Sequence, residues 1–169
     1  MPEEMLDIVD ENNELTGEQK SRSVVHGEMK DWHRITGIYI VNDKREILCQ
    51  KRSIHKDSNP GKWQAGFGGH VKAGQTFDDN AIEELAEELD IHIDISQLIK
   101  KSIYKNDNFK HISQRYILRL NKDIGDMNNN DGEVEELAWL ILEEVDKKTA
   151  EGKFCGNISE EIRDYIKSI

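Results

Sequence analysis

Glu84, Glu87 and Glu88 stand at i, i+3 and i+4. On a helix this spacing brings three carboxylates to one patch, where like charges repel by roughly 0.2–0.5 kcal/mol per pair. No lysine or arginine lies within four residues of them in sequence. A hard cation such as Mg²⁺, or Mn²⁺ in its place, would turn that repulsion into coordination. The plainer alternative is a solvated acidic helix face. The residues just upstream weigh against it. Gly66, Gly68, Gly69 and Gly74 fall within 63–74, too dense for a regular helix. Gly66, Gly68 and Gly69 let the backbone approach a ligand closely, and Gly74 turns the chain into the helix. A strand, a glycine loop and a glutamate helix in that order place bare peptide groups beside a carboxylate cluster, an arrangement suited to metal-assisted chemistry on phosphates.

The helix that must carry the glutamates is predicted over 77–89. Ile82, Leu85, Ala86 and Leu89 form its apolar stripe, Thr76 its N-cap, and Asp78 and Asp79 occupy its first turn. Strands are predicted at 5–9, 32–41 and 47–52, the last two joined by a turn at 42–45. Further strands are predicted at 91–95, 100–104, 112–120 and 136–142. Residues 53–62 and 121–132 read as loops. A helix follows to 151 with Gly152 as its stop, and Ile158, Ile162, Tyr165, Ile166 and Ile169 mark a closing amphipathic helix. Strands interrupted by one central helix and followed by helices predict a mixed sheet covered by helices, an α/β (α+β) class.

The bulk numbers narrow the partners. A length of 169 residues suits one domain, 1–169. The net charge of −11 predicts repulsion of nucleic acid and anionic membranes. It also calls for a cation between this chain and any phosphate. Cys49 and Cys155 form no CxxC pair and are read as reduced; the N-terminus lacks the pattern of a signal peptide, and no apolar run is long enough to span a bilayer. These features predict a cytoplasmic location. A homodimer is left open.

The segment from Gly69 to Ile91, GHVKAGQTFDDNAIEELAEELDI, resembles the Nudix box. Gly69 matches its opening glycine, and Glu84, Leu85, Glu87, Glu88 and Ile91 match its helix. Three positions depart: Gln75 stands where the family has Glu, Glu83 where it has Arg, and Asp90 where it has Gly. In the family the first two form an ion pair bracing the loop on the helix. An amide donating to a carboxylate can replace it. Asp90 tolerates the left-handed conformation that ends a helix. The resemblance implies an α/β/α sandwich with a loop–helix–loop box at 69–91, an N-terminal strand and hairpin region at 1–62, and strands and helices over 92–169. It implies that Glu84, Glu87 and Glu88 hold Mg²⁺ and carry catalysis. It also implies a small-molecule diphosphate substrate contacted by Gly68, Gly69, His70 and Arg52. For Arg52 a surface ion pair is an equal reading. Glu133, Glu135 and Glu136 lie where the family often places an extra catalytic glutamate.

LDIVDENNEL, RSVVHGEMKDWHR, LCQKRS and PGKWQAGFGGHV are similar to the subfamily resembling isopentenyl-diphosphate isomerase. In those isomerases histidines at the places of His26, His33 and His70 bind a metal. Isomerisation also needs a cysteine where this chain has Gly68, and carboxylates on a later strand that here reads His111-Ile112-Ser113-Gln114-Arg115. Glycine supplies no acid for proton delivery to an alkene. His26 and His33 are therefore expected to hydrogen-bond within the fold, and Trp63 and Trp139 to sit in the core. The reading is a Mg²⁺-dependent hydrolase of a nucleoside-diphosphate or other organic diphosphate. Its alternatives are a non-catalytic binding module on the same fold, or an isomerase.

Overall fold

The computed structural model describes residues 3–56, 58–127 and 134–169. Two strands, β1 (Met5–Val9) and β2 (Leu15–Ser21), form an antiparallel hairpin, followed by a short helix, α1 (Arg22–Glu28). The main sheet holds β3 (His33–Val41), β4 (Ile47–Arg52), β5 (Trp63–Ala65), β6 (Leu98–Asn106), β7 (His111–Arg119) and β8 (Val134–Leu140). The three remaining helices are α2 (Phe77–Leu89), α3 (Leu142–Ala150) and α4 (Glu160–Ser168). The order β5-β4-β3-β7-β6, with β8 also on β4, is mixed: β3 and β7 run parallel and the other pairs antiparallel.

Period-2 alternation divides the sheet's side chains between two cores. Ile38, Ile40, Leu48 and Tyr116 pack with Leu85 and Leu89 of α2. Val41, Ile47, Cys49 and Ile117 face the other way, onto Val145 of α3 and Ile162 and Ile166 of α4. The result is the expected α/β/α sandwich. Leu85 and Leu89 are fully buried, each contributing roughly 1.5–3 kcal/mol of apolar burial. Trp63 belongs to the second core and Trp139 packs against the first.

Several sequence expectations are corrected. Residues 91–95 form no strand: Asp94 caps a 3₁₀ turn, Ile95–Gln97, in which Gln97 returns a bond to Asp94. That local capping outcompetes the β-branched isoleucines of the segment. β2 and α1 were not predicted, because β2 (LTGEQKS) is almost entirely exposed and carries no alternating apolar signal. The face of α2 that is most buried is Ala81, Leu85 and Leu89 with Asn80; Ile82 and Ala86 are only half-buried at its margin.

One irregularity positions everything that follows. β3 and β4 share a single register pair, Val41 with Ile47, and then splay apart. Residues 67–71 fill the gap beside β3. Ile38 and Phe67 exchange backbone bonds at 2.7 and 2.8 Å, Thr36 N–H donates to the Gly69 carbonyl at 2.9 Å, and Val71 N–H to the Arg34 carbonyl at 2.9 Å. The glycine loop is therefore held nearly as a strand.

Candidate functional site

The close fit against β3 explains Gly68. Its φ is +125°, and a Cβ there would stand 2.6 Å from the Thr36 carbonyl oxygen. Only glycine accepts both conditions. On the other side of the loop, a Cβ at Gly69 would meet the Glu84 carboxylate, the movable end of a side chain. The loop is thus pressed between β3 and the glutamate face of α2. Gly68 N–H donates to Glu88 Oε2 at 3.1 Å.

The helix begins as its sequence indicates. Thr76 Oγ1 accepts from Asp79 N–H at 3.1 Å, and Asp79 Oδ2 accepts from Thr76 N–H at 3.0 Å. It ends at Asp90, which adopts the left-handed conformation at φ 52°. Within it, buried Asn80 joins three elements. Thr36 Oγ1 donates to Asn80 Oδ1 at 2.5 Å, and Asn80 Nδ2 donates to the His70 carbonyl at 3.0 Å and reaches Glu84 Oε1 at 3.4 Å. In sequence it shows only as a polar residue bordering the Ala81–Leu85–Leu89 face, which does not reveal these partners.

The three glutamates sit in different surroundings. Glu84 is largely enclosed, and burial raises its carboxyl pKa, with the charge of Glu87 adding to the effect while Asn80 and Lys72 oppose it. Glu88 braces the loop through Gly68. Glu87 is the most exposed, with its Oε1 3.7 Å from Lys72 Nζ. The three carboxylates are hard oxygen donors on one helix, but among the described residues the group whose ligand atoms converge within 4.8 Å is His26, His33 and His70.

Lys72 corrects the sequence picture of a patch without a cation. Its Nζ donates to Glu83 Oε1 at 2.8 Å. Eleven residues separate the two in sequence, so helical spacing gave no sign of it. Gln75 Nε2 donates to Glu83 Oε2 at 2.5 Å, the amide–carboxylate bond expected in place of an ion pair.

A cavity of about 620 Å³ opens on the loop, lined by Arg52, Gly68, Gly69, His70, Phe109 and His111 among others. Arg52 is anchored by bonds to the Ser58 carbonyl (3.0 Å), Ser58 Oγ (3.1 Å) and Gln64 Oε1 (3.3 Å). This holds its guanidinium at the cavity wall, and no surface ion pair of Arg52 is present among the described residues. Phe109 is 57% exposed at the rim, its ring within 11° of parallel to that of His111.

His26, His33 and His70 bring one ring nitrogen each within 4.8 Å of one another, a spacing that could hold a transition metal. They also hydrogen-bond within the fold: His26 Nε2 meets His70 Nε2 at 2.8 Å, and His33 Nδ1 lies 3.3 Å from the Asp31 carbonyl. Burial pushes His70 down to about 3 and His111 down to about 4, so both are neutral near pH 7. Glu135 pairs with Lys51 at 3.2 Å, Glu136 stands opposite Lys51 in the β4–β8 register, and Glu133 lies outside the described residues. Cys49 is buried with its thiol pushed up to about 12, unsuited to nucleophilic work.

The NUDIX domain model matches residues 31–156. The chain belongs to this family, the Nudix hydrolases. It is 33% identical to an uncharacterized Nudix hydrolase of Clostridium acetobutylicum, over 90% of this chain and 81% of that protein. It is 39% identical to Nudix hydrolase 3 of Arabidopsis thaliana over 55% of this chain, a stretch that makes up 12% of that protein. An isopentenyl-diphosphate isomerase of Brevibacterium linens is more distant, at 27% identity over 84% of this chain and 79% of its own length. A Deinococcus radiodurans crystal structure shares the fold with a TM-score of 0.72 and 23% identity, covering 95% of this chain and 98% of that one. Among the described residues no helix is long and apolar enough to cross a membrane.

Proposed function

We propose that this chain uses Glu84, Glu87 and Glu88 to hold Mg²⁺, or Mn²⁺ in its place, and cleaves the diphosphate linkage of a nucleoside-diphosphate or other organic diphosphate. The observation that carries the reading is Glu84. Its carboxylate is largely enclosed and pressed against Gly69, and burial already raises its pKa, so a divalent cation would relieve a charge held out of water. A bound divalent cation supplies charge neutralisation for the diphosphate and a more acidic water. The residues supply the rest. Glu88, fixed on Gly68 N–H, keeps the loop and helix in one register. Arg52 offers its remaining N–H groups to a phosphate oxygen from the cavity wall. Gly68, Gly69 and His70 line the same cavity as Arg52, and Phe109 offers an apolar surface to the organic half of the substrate. The thiols Cys49 and Cys155 are unpaired, which supports a reducing, cytoplasmic setting.

Gly68 argues against the isomerase alternative. A cysteine side chain cannot be added there without moving Thr36 or the loop. Family membership favours the hydrolase over a purely binding module. A screen of nucleotide sugars, dinucleotides and isoprenoid diphosphates with Mg²⁺, read as release of phosphate or a nucleoside monophosphate, tests the proposal. Metal binding with no turnover of any of them would remove it.

A further inference from the structure

Lys72 has no partner role in the box as the sequence presents it, yet its ammonium group occupies the glutamate face. The backbone puts it there. Leu6 of β1 bridges Lys72, Ala73 N–H donates to the Met5 carbonyl at 2.8 Å, and Gly74 N–H donates to Asp7 Oδ2 at 2.7 Å. Gln75 N–H closes the turn on the Lys72 carbonyl at 3.0 Å. The N-terminal hairpin thus pins residues 72–74, and the side chain reaches Glu83 at 2.8 Å and Glu87 at 3.7 Å. The basic group near Glu84 that acts on its charge is the same Lys72.

We propose that Lys72 is the resident counter-ion of the glutamate helix, a positioning residue that holds Glu83 and Glu87 in place when no divalent cation is bound and opposes the cation when one arrives. The second half rests on the metal reading above; the first does not. Two effects of opposite sign follow. Removing the ammonium group leaves four neighbouring carboxylates on one helix without their nearest basic partner, so the metal-free protein loses stability. The same removal deepens the negative field at Glu84 and Glu87, so a divalent cation binds more tightly.

Lys72→Met and Lys72→Arg, measured without substrate, separate this from a plain structural contact. The expected result for Lys72→Met is a metal-free Tm lower by about 1–4 °C and a Mg²⁺ or Mn²⁺ dissociation constant lower by about 3- to 10-fold in calorimetric titration. Lys72→Arg, which keeps the charge, should stay near wild type in both. A contact that merely packs would lower Tm and leave or weaken metal binding, and that outcome overturns the proposal. So does an unchanged metal-free Tm. If wild type binds neither ion, the metal reading fails by itself. The counter-ion role is then decided by a double-mutant cycle of Lys72→Met with Glu83→Gln, where zero coupling rejects it.

Discussion

Gly68 rests so close to Thr36 that a Cβ would fall 2.6 Å from the Thr36 carbonyl oxygen, at a φ of +125° that side chains rarely adopt. This contact follows from the splaying of β3 and β4, which draws the loop against β3. It leaves no room for the cysteine that the resemblance to the isomerases would require at this position. Gly68→Cys is expected to destabilise the protein by more than about 1 kcal/mol and to yield no allylic isomer from isopentenyl diphosphate. Denaturant unfolding and product chromatography check the two parts. A stable variant that isomerises would contradict this account of the divergence.

The Gln75–Glu83 bond at 2.5 Å joins the box's two most unusual residues. Lys72 makes the pair a triad, so each single change has a definite cost. Gln75→Glu sets a carboxylate against Glu83 with only Lys72 to offset it. Glu83→Arg sets a guanidinium against Lys72. Making both changes restores attraction between the two positions. A double-mutant cycle on metal-free unfolding should give a favourable coupling of roughly 0.5–3 kcal/mol. A value of zero would mean that the two side chains do not act together in solution.

What the sequence revealed and what it hid follow a physical rule. The helix from Phe77 to Leu89 and its Thr76 cap are local and legible from periodicity and capping alone, while the left-handed Asp90 and the Gln75–Glu83 bond were implied by the resemblance to the Nudix box. The sandwich followed from strand alternation and the closing helices. Lys72 and Asn80 were missed because Lys72, pinned by β1, meets Glu83 eleven residues away, and Asn80 meets Thr36 of β3 and the His70 carbonyl of the loop, contacts that neither periodicity nor spacing encodes. β2 was missed because an exposed strand has no apolar alternation. Residues 91–95 were misread because three alternating isoleucines, Ile91, Ile93 and Ile95, imitate a strand where capping by Asp94 prevails.

The histidines predict a pH dependence. His111 is pushed down to about 4 and His70 to about 3, both mainly by burial, from an ordinary value of 6.5. A base whose pKa is lower in the folded state binds more protons when unfolded, so stability rises with pH across that interval. It is fully present above 6.5 and is lost progressively as pH falls toward 4. Urea midpoints measured from pH 7 to pH 5 should decline, and His111→Gln should flatten the decline. An equal slope in the variant would show that His111 is not among the groups responsible.

The central claim concerns Glu87 and Glu88, on the polar side of a helix whose Leu85 and Leu89 fill the core. Glu87→Gln and Glu88→Gln each remove one carboxylate without touching that core. The most direct measurement is turnover of the best diphosphate substrate at saturating Mg²⁺, with folding monitored in parallel by circular dichroism. The account predicts a fall in kcat of about 10²- to 10⁴-fold in each folded variant. Near wild-type turnover in either one would contradict the assignment of the metal and the chemistry to this helix.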